Sequence, residues 1–475
     1  MVRSGTTTKS KVVALAASVA LAAGSIVATA STATAAPGDR ATFATGAQAR
    51  GIAEDASGTL WVTNVGANSI SKVALDGTTI TYASAISSPF GIAAGSGGGM
   101  WFTSDTNQVG RISPEGAIQA YDVGNASAGI ALGPDGNMWF TMPNATPARV
   151  GKVTPTGAVT TYETGGVSFN FITPGPEGSN RMYLASSSSG DLGIVQMNGS
   201  YSAITGPQGS TSSNHIQLIN DQIWFIPVLA NGTARLTRLI NDSGFVQVAN
   251  AAMPSPFYIG EGLDGTMWVG DFNQTISHVT TGGAVVATYA TGGLVRQALQ
   301  AADGNVWATV GDGVTRILTG VVPTSSAAPT LEPTTGLTAG ATAAASNGSW
   351  SYAPTSYAYQ WQVCATSEAT SCTDVPGATG QSYTVATTDV GKYIRVGVTA
   401  SNLNGASQPA YSALVATGAA PAPAPAPAPT PAPATGAFAS IGNGVTMELD
   451  APLRQKRKQR KTYDVVFTAD DVQGT

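Results

Sequence analysis

The sequence predicts an all-β protein whose main body is a seven-bladed β-propeller, followed by a smaller β-domain, a Pro/Ala linker and a short β-rich tail. Three observations predict it. With 57 Gly and only 10% charged residues, the composition favours short strands and tight turns over helical bundles. One phrase recurs in register, as GIAEDASGTLWVT, GIAAGSGGGMWFT and GIALGPDGNMWFT. Aromatic anchors at Trp61, Trp101, Trp139, Tyr183, Trp224, Trp268 and Trp307 stand 38 to 44 residues apart, the period of a four-stranded blade.

Residues 1–35 read as a secretory signal peptide. Arg3, Lys9 and Lys11 give a basic start, Val12 to Ala30 an almost uncharged apolar stretch, and Ala33-Thr34-Ala35 a small-residue cleavage site. A membrane anchor competes with this reading, but the Ala, Ser and Thr content makes the stretch only weakly apolar. No later stretch is apolar enough to span a bilayer, so the mature chain is expected to be secreted, extracellular or associated with the cell surface. A formal charge of −5 argues against nucleic acid as a partner.

Residues 36–320 hold the propeller. Each repeat opens with an apolar strand, turns through Asp-Gly or Gly-Gly, and continues into a strand with the anchor near its start. Third strands follow in SISKVAL, QVGRISP and RVGKVTP, and fourth strands in TITYAS, AIQAYDV and AVTTYET. The seventh repeat runs out near Leu318 without a fourth strand, while ATFATG at 41–46 resembles VATYATG at 286–292. The N-terminal segment is therefore expected to close the ring, removing open sheet edges, with the tryptophans buried between blades.

These repeats, above all GIALGPDGNMWFT followed by RVGKVTPTGAVTTYET, resemble the virginiamycin B lyase (streptogramin lyase) family over residues 41 to 320. The resemblance implies a seven-bladed propeller and a metal-dependent carbon–oxygen lyase that opens streptogramin B antibiotics by elimination at the ester. It implies a Glu-x-His-Gly-Ile segment entering one blade, a Glu three residues after that blade's tryptophan, another His, and Mg²⁺. Carboxylates suit a hard cation, and a neutral imidazole can take a proton from carbon beside a polarised carbonyl.

This chain departs from that pattern. Eleven residues before the anchors stand Arg50, Phe90, Ala128, Ile172, Ser213, Phe257 and Arg296, with His215 shifted toward the equivalent place by a shortened turn. No glutamate stands two residues earlier, and Asp271 is the one carboxylate three residues after an anchor. His215 and His278 are the two histidines of the chain, one before a first strand and one ending a third. No metal site or cofactor is expected; Mg²⁺ belongs to the alternative, a divergent lyase opening a cyclic depsipeptide.

Segments entering the innermost strands open at one mouth of the central channel, so Arg50, Phe90, Phe257, Arg296 and His215 are expected to converge there. The predicted result is a pocket for an anionic or carboxylate-bearing ligand, such as a cell-envelope glycan or peptide, gripped by paired guanidinium groups. The plainer alternative has the arginines solvated at a rim, the phenylalanines on loop stems and His215 as a hydrogen-bonded structural residue. Glu54, Asp55, Asp135, Asp264 and Asp303 fall in or beside turns, where acids bond the local backbone.

Residues 321–417, with GSWSYAPTSYAYQWQVC and SYTVATTDVGKYIRVGVTASN, resemble bacterial immunoglobulin-like modules through Trp350, Trp361 and the Cys364 and Cys372 pair. Adjoining antiparallel strands in an oxidising compartment would join those cysteines in a structural disulfide. Residues 418–437 alternate Ala and Pro as an extended, semi-rigid spacer. Residues 438–475 read as a basic, incomplete β-module, with VTMELDAPL and KTYDVVFTA as strands around the run from Arg454 to Lys461. That run suits either a solvated turn or contact with anionic wall polymers.

Overall fold

The computed structural model describes residues 35–248, 253–418, 438–441 and 445–448. Residues 1–34 of the expected signal peptide, residues 419–437 of the spacer and the basic run at 454–461 lie outside the described residues. No helix among the described residues is long and apolar enough to cross a membrane.

Seven four-stranded antiparallel sheets form the main body, one for each aromatic anchor. Their inner strands are Ala49–Glu54, Pro89–Ala94, Ile130–Leu132, Phe171–Pro174, Ser210–Ile219, Pro256–Glu261 and Val295–Gln300. Each inner strand touches the next, and Ala49–Glu54 touches Val295–Gln300, so the ring is closed. Blades one to six take four consecutive strands, while blade seven takes three and completes itself with Arg40–Ala44. That N-terminal strand pairs antiparallel with Gly313–Ile317, Phe43 opposite Val314. The expected closure is thus the observed one.

Every anchor is buried, and fully burying a side chain of this size contributes about 3 kcal/mol. A tyrosine from the fourth strand stacks on the tryptophan of its own blade in blades one, two, three and six, as Tyr82 does on Trp61 at 6.1 Å and Tyr121 on Trp101 at 5.1 Å. In blade seven the closing strand supplies Phe43 instead, 5.5 Å from Trp307. A third-strand cation lies over the indole and bridges to the neighbouring blade. Lys72 covers Trp61 and donates to Pro114 O at 3.0 Å, Lys152 covers Trp139 and donates to Met197 O, and Arg316 covers Trp307 and donates to Leu75 O.

The acidic residues of the turns bond locally. Asp55 accepts from the backbone of Ser57 and Thr59 and from the Trp61 indole; Asp135 and Asp303 repeat the arrangement with Trp139 and Trp307. Glu54 accepts from Ala302 N, tying blade one to blade seven.

After the propeller, Leu337–Thr338, Val415–Gly418, Tyr393–Asn402, Ser356–Cys364 and Cys372–Asp374 make one sheet, and Leu331–Glu332, Thr342–Ala345 and Ser382–Thr384 a second. Both contribute to one core around the fully buried Trp361. Cys364 and Cys372 stand opposite each other on paired strands and form the disulfide. This unit docks on blade seven. Asn404 donates to Asn305 Oδ1 at 2.8 Å and to Val321 O, and accepts from Gly320 N. Asn402 donates to Val321 O and Tyr352 O. The turn residues Asp303 and Asn305 are consequently buried, whereas Asp135 of blade three is exposed. Farther on, Phe438–Ile441 and Val445–Glu448 pair as a hairpin; the second strand lies in the expected VTMELDAPL segment, and the first had no counterpart in the sequence reading.

Phe43 is half-buried and holds both the closing strand and the face of Trp307. Phe43→Ala is expected to lower the unfolding free energy by about 2 kcal/mol, below the range for a fully buried phenylalanine. Urea denaturation followed by tryptophan fluorescence measures it, and a loss under about 0.5 kcal/mol would contradict ring closure through this contact.

A bulge-lined cavity at the mouth of the channel

Neighbouring inner strands run so close together that side chains are excluded at set positions. A Cβ on Gly51 would lie 2.7 Å from Phe90 O, and one on Gly91 would lie 2.7 Å from Ala128 O. Here glycine is required by contact between blades. A threonine two residues after the anchor fills the remaining space. Thr63 Oγ1 accepts from Gly51 N at 2.8 Å and donates to Phe90 O at 2.6 Å. Thr103 accepts from Gly91 N and donates to Ala128 O, and Thr309 accepts from Gln297 N at 3.0 Å and donates to Arg50 O at 2.8 Å.

At this level five inner strands carry a β-bulge, between Ala49 and Ile52, Pro89 and Ile92, Ser213 and Ile216, Pro256 and Tyr258, and Val295 and Ala298. A bulge inserts one residue and re-aims its side chains. Arg50, Phe90, His215, Phe257 and Arg296 all sit in these bulges, and all five line one cavity of about 130 Å³ at the channel mouth. The register shows that Arg50, Phe90, Phe257 and Arg296 are structurally equivalent.

His215 is not their equivalent. Ser213 pairs with Pro227 as Ala49 pairs with Asn64, so Asn214 matches Arg50 and His215 takes the glycine's place. It lies inside the ten-residue strand Ser210–Ile219, where the sequence reading had placed it before a first strand. In blade four the residue whose carbonyl accepts from the preceding threonine is Asn170, two positions before Ile172. The longer turn after Pro174 displaces the count from the anchor. Asn170 and Asn214 also line the cavity and were missed; turn length was the signal that could have found them.

The position after the first bulge residue makes the cavity asymmetric. Blades one to three carry Gly51, Gly91 and Gly129, while later blades carry Phe171, His215, Tyr258 and Gln297. One side is hollow and the other walled by rings. His215 packs between Phe171 and Tyr258, with centroids at 5.3 and 4.2 Å.

Arg50 Cζ lies 4.2 Å from the centre of the Phe90 ring, a cation–π contact that orients the guanidinium. Its pKa is lowered, first by burial and then by the positive charge of Arg296. Among the described residues neither arginine forms an ion pair. Two like charges held together without a carboxylate favour an incoming anion.

His215 sits deep in the protein with part of its surface facing the cavity. Burial pushes its pKa down to about 3, so the ring is neutral at pH 7, and its Nδ1 is sealed without a partner. His278 stands elsewhere, stacked 4.5 Å over Trp268 and bonded to Thr266 Oγ1. Asp271 is buried and accepts from Ser255 N and Asn273 N, a structural turn. The donor set therefore does not fit a divalent cation: the cavity is lined by two arginines and a neutral histidine, with no carboxylate among its described lining.

The fold and this cavity define a seven-bladed β-propeller with a ligand-sized hollow at one end of its channel. The propeller is virginiamycin B lyase-like: the model of the Virginiamycin B lyase family matches residues 23–168. A catalytically inactive virginiamycin B lyase from Staphylococcus aureus, crystallised with quinupristin, is similar at 22% identity and a TM-score of 0.53, covering 59% of this chain and 99% of its own. A streptogramin B lyase structure is similar at 21% identity and a TM-score of 0.53, covering 58% of this chain and 96% of its own. No curated relative matches the chain in sequence.

Two outcomes follow from the geometry. Thr309→Val leaves Gln297 N without its acceptor and Arg50 O without its donor, and is expected to cost about 1–3 kcal/mol of stability in urea unfolding. Thr160→Val, at an exposed position of the strand Val159–Glu163, serves as a control, and equal losses in both would remove the special role of Thr309. For His215, the folded pKa lies below the unfolded value of about 6.5, so the unfolded chain binds the proton first. Its contribution to stability is complete above about pH 6.5 and is lost as the pH falls toward 3, by at most about 1.4 kcal/mol per unit. Between pH 6.5 and 4.5 the parent protein should lose more stability than His215→Gln; parallel acid profiles would refute the assignment.

Proposed function

We propose that the propeller is a secreted binding protein of the bacterial cell envelope, taking an anionic or carboxylate-bearing ligand at the channel mouth. The observation that carries this reading is the pair Arg50 and Arg296 on adjoining blades, in one cavity and without an acidic partner among the described residues. The ligand's carboxylate bridges the two guanidinium groups, and its body lies against the wall of Phe171, His215 and Tyr258. The basic, apolar N-terminal segment supports export by cleavage of a signal peptide. The C-terminal unit, with its two sheets over Trp361, is read as an immunoglobulin-like spacer, extended by the Pro/Ala stretch. No cofactor takes part.

A second reading, a divergent carbon–oxygen lyase, draws on the virginiamycin B lyase-like fold and on the neutral imidazole of His215 at the cavity. In it His215 would be the group that takes a proton, while a divalent cation would supply Lewis-acid polarisation if it were held, and the carboxylates that would hold it are missing from the described lining.

Calorimetric titration with muramyl dipeptide, a carboxylate-bearing envelope fragment, tests the first reading. Binding by the parent protein and a loss of about tenfold or more in Arg50→Ala/Arg296→Ala are expected; undiminished binding in the double variant would overturn it. Mass spectrometry of a streptogramin B antibiotic incubated with the protein separates the second reading. A ring-opened isomer of unchanged mass, formed only with Mg²⁺, would establish the lyase instead.

A further inference from the structure

On the opposite face, at the seam of blades four and five, lies a second cavity of about 280 Å³, lined by Arg181, Tyr183, Asp221, Arg238, Asn241 and Asp242 among others. It arises where blade five breaks the repeat. Its first turn has two residues between paired positions, Ile219 and Gln222, against five in blade one. Its last turn has three, between Ile240 and Gly244, against five in blade one. Asn220, Asp221, Asn241 and Asp242 all take positive φ values, between 46° and 58°, which makes these tight turns possible. Both shortened turns lie on the same face and leave the hollow between them.

This seam is tied differently from the others, with Glu177 N donating to Asp221 Oδ1 at 2.6 Å. In blades one, three and seven the third-strand cation reaches a carbonyl of the next blade, and the indole N–H reaches the turn aspartate. In blade five Arg238 lies over Trp224 but turns back to Gln222 Oε1 at 3.0 Å. The Trp224 indole N–H is buried without an acceptor. Arg181 is bound to Asp242 at 2.6 Å, and Tyr183 donates to the same carboxylate.

We propose that this seam is a second ligand site, and that its ligand is a neutral saccharide. Two guanidinium groups and two carboxylates give the lining no net charge. A free anion placed there would meet Asp221 and Asp242, and a cation would meet Arg181 and Arg238. Sugar hydroxyls both donate and accept, and so match donors and acceptors set side by side with the amides of Gln222 and Asn241. Asp221 and Asn241 are exposed at the rim, so an oligosaccharide can lie across the opening with one ring in the hollow.

Titration calorimetry of the full chain with chitotetraose and with maltotetraose tests the site. At least one is expected to bind. Arg238→Met keeps an unbranched stem over Trp224 and should weaken binding at least tenfold. Asp221→Asn keeps a residue that tolerates the turn and should weaken it several-fold. Arg50→Ala/Arg296→Ala should bind the saccharide as the parent does, which separates this site from the channel mouth. Binding of neither saccharide, or parental affinity in Asp221→Asn and in a folded Arg238→Met, overturns the proposal. If Arg238→Met does not fold, Asp221→Asn decides. Inorganic phosphate retained through Arg238 while both saccharides fail would also overturn it, in favour of an anion site.

Discussion

The rest of the propeller depends on the close approach of neighbouring inner strands around the channel. At Gly51 and Gly91 the next blade's carbonyl leaves no room for a Cβ, and a threonine hydroxyl bridges the gap by accepting from one backbone and donating to the next. Buried peptide groups that would otherwise be orphaned by the bulges are satisfied in this way. The bulges are in turn what aim Arg50, Phe90 and Arg296 into a common space. Packing of the blades and the shape of the cavity are therefore one arrangement, held by the same few atoms.

Much of this was legible in the sequence because it repeats. The anchor spacing gave the blades, and the likeness of residues 41–46 to 286–292 gave the closing strand, since Phe43 has to do for Trp307 what Tyr82 does for Trp61. The convergence of five lining residues could be read because equivalent positions on a ring of blades become neighbours. Legibility failed where turns change length. Asn170 was displaced by the longer turn of blade four, and His215 proved to stand at a glycine's position because blade five has a short one. The second cavity was invisible for a related reason: it consists of what two shortened turns leave open, and no residue pattern marks an empty volume.

The cavity at the channel mouth lacks the groups that the expected cation-binding centre would need. A cation-binding centre needs carboxylates, and this lining carries guanidinium groups, aromatic rings and amides instead. The scaffold accommodates both arginines because Arg50 is supported by the face of Phe90, while Arg296 keeps contact with solvent. Asp271, the one acid three residues after an anchor, is taken up by the backbone of its own turn at Asn273 and of Ser255 across the blade. A propeller separates the interactions that hold the blades from those that face the channel, so one set can change without the other.

The docking of the C-terminal unit determines how mechanical load enters the molecule. Asn404 grips blade seven at Asn305 and at Gly320, beside the turn that ends the strand Val295–Gln300, and Asn402 holds the connecting residue Val321. The other end of that strand carries Arg296, and the outer edge of the same blade is the N-terminal strand, held by five registered pairs from Arg40 to Ala44. Tension transmitted along the Pro/Ala segment would thus reach the propeller at its one discontinuous blade, shearing the seam where the two ends of the ring meet before it strained the six blades formed from continuous chain.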